Sequence, residues 1–157
     1  MNAMTIMMRC RAARSDIERI QQRIDQRREL LDGMNAPLGD PNGGSRPTGD
    51  RDKIGRILAD IDQLEREMEV RREAENAEKV AAVSLVEMVP DTEGKVLYDY
   101  YVKGWDTTEI ARKEKYTAGY VRKTKRSGEK LLEMLGPERV AAVLPGWYIK
   151  EKGESGT

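Results

Sequence analysis

The stretch GWDTTEIARKEKYTAGYVRK, residues 104–123, decides the reading of the whole chain. Gly104 stands where a preceding helix would end in a left-handed residue. Asp106 and Glu109 form a capping pair that opens a short helix. Ile110 and Ala111 are that helix's inward residues, and Ala111 is small enough for a second helix to cross closely. The helix lasts barely two turns before Lys115-Tyr116, and Thr117 caps a second one. With Val121 at the centre of the second helix's buried face, a rotation of about 100° per residue brings Gly128, Leu132 and Leu135 to the same side, with Leu131 at its border. Gly119, Arg122, Lys123, Arg126 and Lys130 fall on the opposite side.

Two short helices joined by a tight turn, the second basic on its outer face, have the geometry of a helix-turn-helix, whose second helix lies in the major groove of DNA. Basic side chains there bind phosphates, an arginine pairs bidentately with guanine, and the helix N-terminus donates backbone N–H groups. The candidate DNA-binding residues are Thr117, Ala118, Gly119, Tyr120, Arg122, Lys123, Arg126 and Lys130, on a recognition helix over about 117–132. Ala118 and Gly119 leave room for close approach to a groove. Tyr120 flanks the basic face, whereas Tyr98, Tyr100, Tyr101 and Tyr116 read as core or groove-wall residues. A basic face alone is as often plain solvated surface. The full order of capping pair, Ile-Ala, short turn, capping Thr, Val-Arg and leucines is the more specific signal.

Upstream, Ala13, Ile17, Ile20, Ile24 and Leu31 recur at steps of three, four or seven, an a/d-type stripe with Arg27 and Arg28 where the next apolar residue is due. Ser15 and Glu18 have capping-box spacing, so the helix starts at Ser15 or extends backward through Arg9–Arg14. The density of Gly and Pro from Gly33 to Asp50 excludes helix or core strand and reads as a flexible loop. Ile54, Ile57, Ile61, Leu64 and Met68 form a second stripe, on a helix from Asp52 to about Glu75. Each stripe needs a partner, and an antiparallel hairpin provides one. The same seams serve equally for pairing between chains. From Asn76 to Val89 the pattern becomes denser (Val80, Ala81, Val83, Val86, Val89), and Pro90 ends it. Asp91 or Thr92 caps the next helix, with Val96, Leu97, Tyr100 and Tyr101 on one face. After Gly136, Pro137–Leu144 reads as a short helix. Trp147, Tyr148 and Ile149 pin the tail back or touch a partner, and Lys150–Thr157 reads as disordered. The expected fold is therefore all-α: an N-terminal antiparallel, coiled-coil-like helical hairpin over 1–75, a connecting helix over 76–90, a small three-helix helix-turn-helix domain over 91–135, and a short helix and tail over 136–157.

Across 157 residues, 28 Lys and Arg balance 28 Asp and Glu. Affinity for DNA must then come from a local basic face. Histidine is absent, which removes the usual general base and the commonest metal ligand. Cys10 is the single cysteine, with no partner for an intrachain disulfide and no accompanying base. No Gly-rich phosphate loop is present. No enzyme activity is expected, and no catalytic residue, cofactor or metal is assigned. The acidic residues Asp60, Asp62, Glu65, Glu67 and Glu69 read as a solvated helix face pairing with nearby Arg and Lys rather than as a cation site. The methionine-rich start, Met1–Cys10, has no long apolar run, so neither a signal peptide nor a membrane span is expected. Met4, Met7 and Met8 are alternative start positions. The lone cysteine fits a reducing cytosol.

Glu109-Ile110-Ala111, Tyr116-Thr117, Val121-Arg122 and Leu131-Leu132 resemble region 4 of bacterial sigma factors and the related LuxR-type helix-turn-helix. VLYDYYVKG, residues 96–104, resembles the helix that leads into that motif, and the likeness covers about Pro90–Leu135. The wider layout is similar to small phage-encoded sigma-like regulators of late or packaging genes. Thr124, Ser127 and Gly128 depart from the pattern, standing where an Ile and an Ala-Leu pair are usual, so weaker packing of the recognition helix is expected. Nothing resembles the sigma region that melts promoter DNA. The resemblance implies a sequence-specific transcriptional regulator that binds double-stranded DNA, works with RNA polymerase and resides in the cytoplasm or nucleoid of a bacterial host. One small helix-turn-helix makes few base contacts, so a homo-oligomer on symmetric half-sites is expected. Two other readings are a phage small terminase-like DNA-packaging subunit and a coiled-coil interaction protein with an incidental basic helix. The face Thr117–Lys130 separates the DNA-binding regulator from the coiled-coil protein, since a scaffold tolerates its neutralisation and a DNA binder does not.

Overall fold

A computed structural model describes residues 2–35 and 48–155, and these are all-α. The elements are α1 (Ala3–Asn35), α2 (Thr48–Val86), α3 (Asp91–Leu97), a π-helical turn (Tyr98–Val102), α4 (Thr107–Glu114), α5 (Ala118–Glu133), α6 (Pro137–Val143) and α7 (Gly146–Ser155). Most of the loop expected over Gly33–Asp50 lies outside the described residues. At its edges α1 continues through Gly33, and α2 already begins at Thr48. The chain divides into two compact units: Asp16–Arg72, the hairpin unit, and Met1–Ser15 together with Glu73–Thr157, the two-ended unit.

In the hairpin unit the two apolar stripes meet within one chain. Ile17, Ile20, Ile24, Ile61 and Met68 are buried, with Leu31, Ile57 and Leu64 packed at the margin. Numbering rises on one helix as it falls on the other: Asp16 pairs with Arg71 at 3.6 Å, and Arg27 with Asp60 at 3.7 Å. Arg28 Nη2 lies 2.9 Å from Glu65 Oε1. Arg27 and Arg28, which interrupt the apolar stripe, thus reach acidic residues of α2. These pairs are exposed and individually contribute at most about 1 kcal/mol. The seam supplies most of the stability, at roughly 1.5–3 kcal/mol per buried aliphatic side chain.

The two-ended unit is built differently. Its main core takes Ala3, Met4, Ile6, Met7 and Cys10 from α1, and Ala81, Ala82, Leu85, Val86 and Val89 from α2 and the turn after it. Leu97, Tyr101, Val102, Leu132, Val140, Leu144 and Tyr148 complete it. Buried glutamates on α2 find partners from both chain ends, as burial of a charge requires. Glu75 Oε1 accepts from Arg14 at 3.4 Å. Glu78 accepts from the Tyr148 hydroxyl at 2.6 Å and pairs with Lys152 at 3.0 Å.

Several expectations are corrected by this packing. There is no separate connecting helix over 76–90, because α2 runs unbroken from Thr48 to Val86. The denser pattern after Asn76 marks a change in what the same helix packs against, from one facing stripe to a core closed on several sides. Of the two starts left open for α1, the backward extension through Arg9–Arg14 is the one present, and it reaches Ala3. Ala3, Met7, Cys10 and Ala13 continue the three-four spacing backward, and the first three are buried. Lys150–Ser155 belongs to α7 rather than to a disordered tail. Tyr148 anchors that helix with no surface exposed, whereas Trp147 is half exposed. Neither Asp91 nor Thr92 caps α3. Pro90 occupies the N-cap without a side-chain bond, and Asp91 adopts a left-handed φ of 57°.

Candidate nucleic-acid interface

The candidate face is assembled by α3, α4 and α5 around a second, smaller core of Val96, Ile110, Ala111 and Val121, flanked by Tyr100, Trp105, Tyr116 and Ala118. Local sequence sets each boundary. Gly104 adopts φ 78°, the left-handed end the sequence requires. Asp106 caps α4 by accepting the Glu109 backbone N–H at 2.8 Å. Ile110 and Ala111 point inward from it and are buried. Thr117 Oγ1 caps α5 by accepting the Tyr120 N–H at 3.1 Å.

Between the helices, Lys115 takes a left-handed conformation at φ 60°, ψ 41°, and its N–H closes on Ala111 O. A non-glycine residue pays roughly 1–2 kcal/mol there. The sequence placed a turn at Lys115-Tyr116 but gave no sign of this geometry, which would ordinarily be filled by Gly or Asn.

On α5, Val121, Thr124, Gly128 and Leu132 are buried. Leu135 lies past the helix end and is only partly buried. Gly128 and Ser127, which depart from the sigma pattern, are accommodated by α3. A Cβ at Gly128 would stand 2.8 Å from Leu97 Cδ1, so glycine permits α3 to lie directly against α5. Ser127 Oγ donates to Glu93 Oε1 at 2.8 Å. Close approach thus replaces the side-chain interdigitation that larger residues would have given.

Every charged candidate lies where the helical rotation puts it. Thr117, Gly119, Tyr120, Arg122, Lys123, Arg126 and Lys130 are exposed, and Ala118 is half-buried at the helix start. Nothing lies within 4 Å of a Cβ built on Gly119, so the first turn is open to approach. Tyr120 is 45% exposed and is propped by Tyr116, the ring centroids 5.0 Å apart. Among the described residues none of Arg122, Lys123, Arg126 and Lys130 is ion-paired. Lys125, one position off this face, is the contrast: it pairs with Glu129 at 3.5 Å and sits 4.3 Å over the Tyr100 ring. The flank cation Lys125 is thus held by the fold, whereas the outer-face cations are exposed.

Beside this face lies a charged network that periodicity does not reveal. Lys95 on α3 pairs with Glu114 on α4 at 2.7 Å. That contact lowers the Glu114 carboxyl below its ordinary range and raises the Lys95 ammonium. Asp99 in the π turn is 1% exposed and meets Lys103 Nζ at 3.3 Å. Its Oδ2 is buried without a hydrogen bond among the described residues. Burial pushes the Asp99 carboxyl up, opposed by Lys103 and reinforced by the neighbouring Glu114. Lys103 also lies 4.4 Å over the Trp105 ring, and Lys113 lies 4.0 Å over it.

Sequence reasoning also missed Arg11. Its Nη1 donates to the backbone carbonyls of Tyr100 (2.5 Å) and Trp105 (3.2 Å), and its guanidinium stacks 3.8 Å over the Tyr100 ring. Its only sequence signal is its place on α1 beside the buried Met7 and Cys10.

Cys10 is buried, and burial, with Glu75 and Glu78 nearby, pushes its thiol up to about 11. Among the described residues no three His, Cys, Asp or Glu side chains converge to hold a metal, and no helix is long and apolar enough to cross a membrane. No protein family, curated protein or solved structure matches this chain, so the likeness to sigma region 4 rests on the residues of about Pro90–Leu135 themselves.

Proposed function

We propose that the chain is a non-enzymatic, sequence-specific DNA-binding regulator of transcription that lays α5 in the major groove. The observation that carries this reading is the division of α5 into a buried face and an exposed outer face bearing four cations that form no ion pair among the described residues, in a chain of zero net charge. The open first turn at Ala118 and Gly119 supports close approach. Arg122, near the N-terminal half, is placed to read a guanine edge, and Lys123, Arg126 and Lys130 to hold phosphates. The resemblance to sigma region 4 adds RNA polymerase as the partner of the bound protein, in a bacterial cytoplasm or nucleoid. A second copy on a symmetric half-site would provide the contacts that one helix lacks.

The test is a DNA titration at several salt concentrations with full-length protein. Arg122→Ala should relax sequence preference and cost ~1–3 kcal/mol on a guanine-containing site. Lys123→Ala and Arg126→Ala should weaken binding to all sequences alike and reduce the salt slope by roughly one unit per phosphate contact. Helix content should stay constant, because all three side chains are exposed. A folded triple variant with unchanged affinity and salt slope would remove α5 as the reader and favour the coiled-coil interaction protein.

A further inference from the structure

We propose that Arg11 is a positioning residue for DNA recognition, coupling the N-terminal turns of α1 to the recognition helix; this rests on the DNA-binding reading above. Arg11 touches no outer-face residue of α5. One of its guanidinium nitrogens donates to two carbonyls, Tyr100 O and Trp105 O, which stand on either side of the left-handed Gly104. That turn joins the π turn to α4, and its backbone is also tied by the Trp105 N–H donating to Asp99 O at 3.0 Å. A lysine in place of Arg11 carries the charge but lacks the planar guanidinium that fixes the direction of its N–H groups and stacks on the Tyr100 ring.

The second half of the coupling runs to α5. The Tyr100 ring has Arg11 at 3.8 Å and Lys125 at 4.3 Å. Lys125 is anchored by Glu129, which also accepts from the Tyr101 hydroxyl. A continuous set of packed groups therefore links α1, the π turn and α5: Arg11, Tyr100, Lys125, Glu129 and Tyr101. Lys125 lies between Lys123 and Arg126 in sequence, so a rotation of α5 that breaks this stack also re-aims the outer-face cations. A misplacement of about 1 Å is enough to cost a large factor where geometry decides the outcome. The N-terminal helix is thus part of the reading device rather than a tether.

The experiment compares full-length Arg11→Lys, Arg11→Ala and Tyr100→Leu with the parent. Trp147→Phe is added throughout so that Trp105 is the only fluorophore of its kind. Both Arg11 variants should shift Trp105 emission without DNA. They should bind the preferred site about tenfold more weakly, with the salt slope unchanged because no phosphate contact is lost. Binding to random DNA should change less. Tyr100→Leu should reproduce part of the loss. A merely structural role would lower the melting temperature but leave discrimination intact well below it, and that result overturns the proposal. Arg11→Lys behaving like the parent also overturns it, since charge alone would then suffice. If the parent itself shows no salt-sensitive DNA binding, the helix-turn-helix reading fails and the proposal with it. Unchanged discrimination in the Arg11 variants of a parent that does bind overturns only the role of Arg11.

Discussion

The two units solve the same problem, burying apolar surface with helices, in opposite ways. The hairpin unit closes one seam between two stripes whose spacing can be read directly from the chain. The two-ended unit draws its core from residues near Met1 and from residues beyond Glu73, with no single helix supplying more than a fraction of it. A seam of repeated spacing is tolerant and modular. A core collected from distant segments is cooperative, and loses its integrity when either contributor is removed.

The largest expected effect follows from that contrast. A fragment Pro90–Thr157 contains α3 to α7 but lacks Ala3, Met4, Ile6, Met7, Cys10, Leu85, Val86 and Val89, all buried in the intact chain. At roughly 1.5–3 kcal/mol for each large apolar side chain, their loss rivals the whole margin of a domain, about 5–15 kcal/mol. The fragment should show no cooperative thermal transition by circular dichroism. Replacing 16–72 with a short Gly/Ser linker should instead leave a protein that melts cooperatively, because Arg14 and Glu75, beside the junction, already lie side by side. A fragment that melts cooperatively alone, or a deletion that does not, would erase the distinction.

Next in size is Ile24→Asp, which puts a charge in the hairpin seam at a cost on the order of 3–5 kcal/mol. Every Trp and Tyr lies at position 98 or beyond, in the two-ended unit. Far-ultraviolet dichroism should therefore drop while the near-ultraviolet aromatic signal persists. Parallel loss of both signals would show the units to be one cooperative body.

The smallest effect sharpens the comparison inside the two-ended unit, where one carboxylate oxygen of Asp99 is buried without a hydrogen bond among the described residues. Folded Asp99 holds its proton more tightly than the unfolded chain does. The stability this contributes is complete below the ordinary carboxyl range and is lost as pH rises through Asp99's raised value. Asp99→Asn should remove that dependence and gain about 1 kcal/mol at neutral pH, the low end of the cost of a buried polar atom without a partner. Thermal melts across pH check it, and an unchanged slope or a less stable variant at neutral pH contradicts it.

What the chain disclosed in advance was what is local. The caps at Asp106 and Thr117, the left-handed Gly104 and the inward Val121 each follow from a few neighbouring residues, and the hairpin stripes follow from spacing. What it withheld depends on partners distant along the chain. Met4 and Met7 show no core role in the sequence, yet they pack in one cluster with residues of α2 and the last helices. Arg11 looks like one of several solvated arginines until its carbonyl acceptors, some ninety positions away, are seen beside it. Asp99 falls on the helix that carries the aromatic face, and nothing in its neighbours announces its burial. Lys115 hides because the left-handed position is held by a residue with no preference for it, its cost covered by the packing of Ile110, Ala111 and Val121.

The burial of Cys10 gives this chain a built-in clock. It is the only thiol, it sits on the α1 segment that closes the two-ended core, and at about 11 its acidity leaves almost none of it in the reactive form at neutral pH. A thiol reagent can then modify the protein only during moments when the first turns of α1 lift away, so the labelling rate under native conditions reports the frequency of that opening. On the proposed DNA-binding reading, slowing of the clock when DNA is added would register, far from α5 in the sequence, how firmly that helix is held.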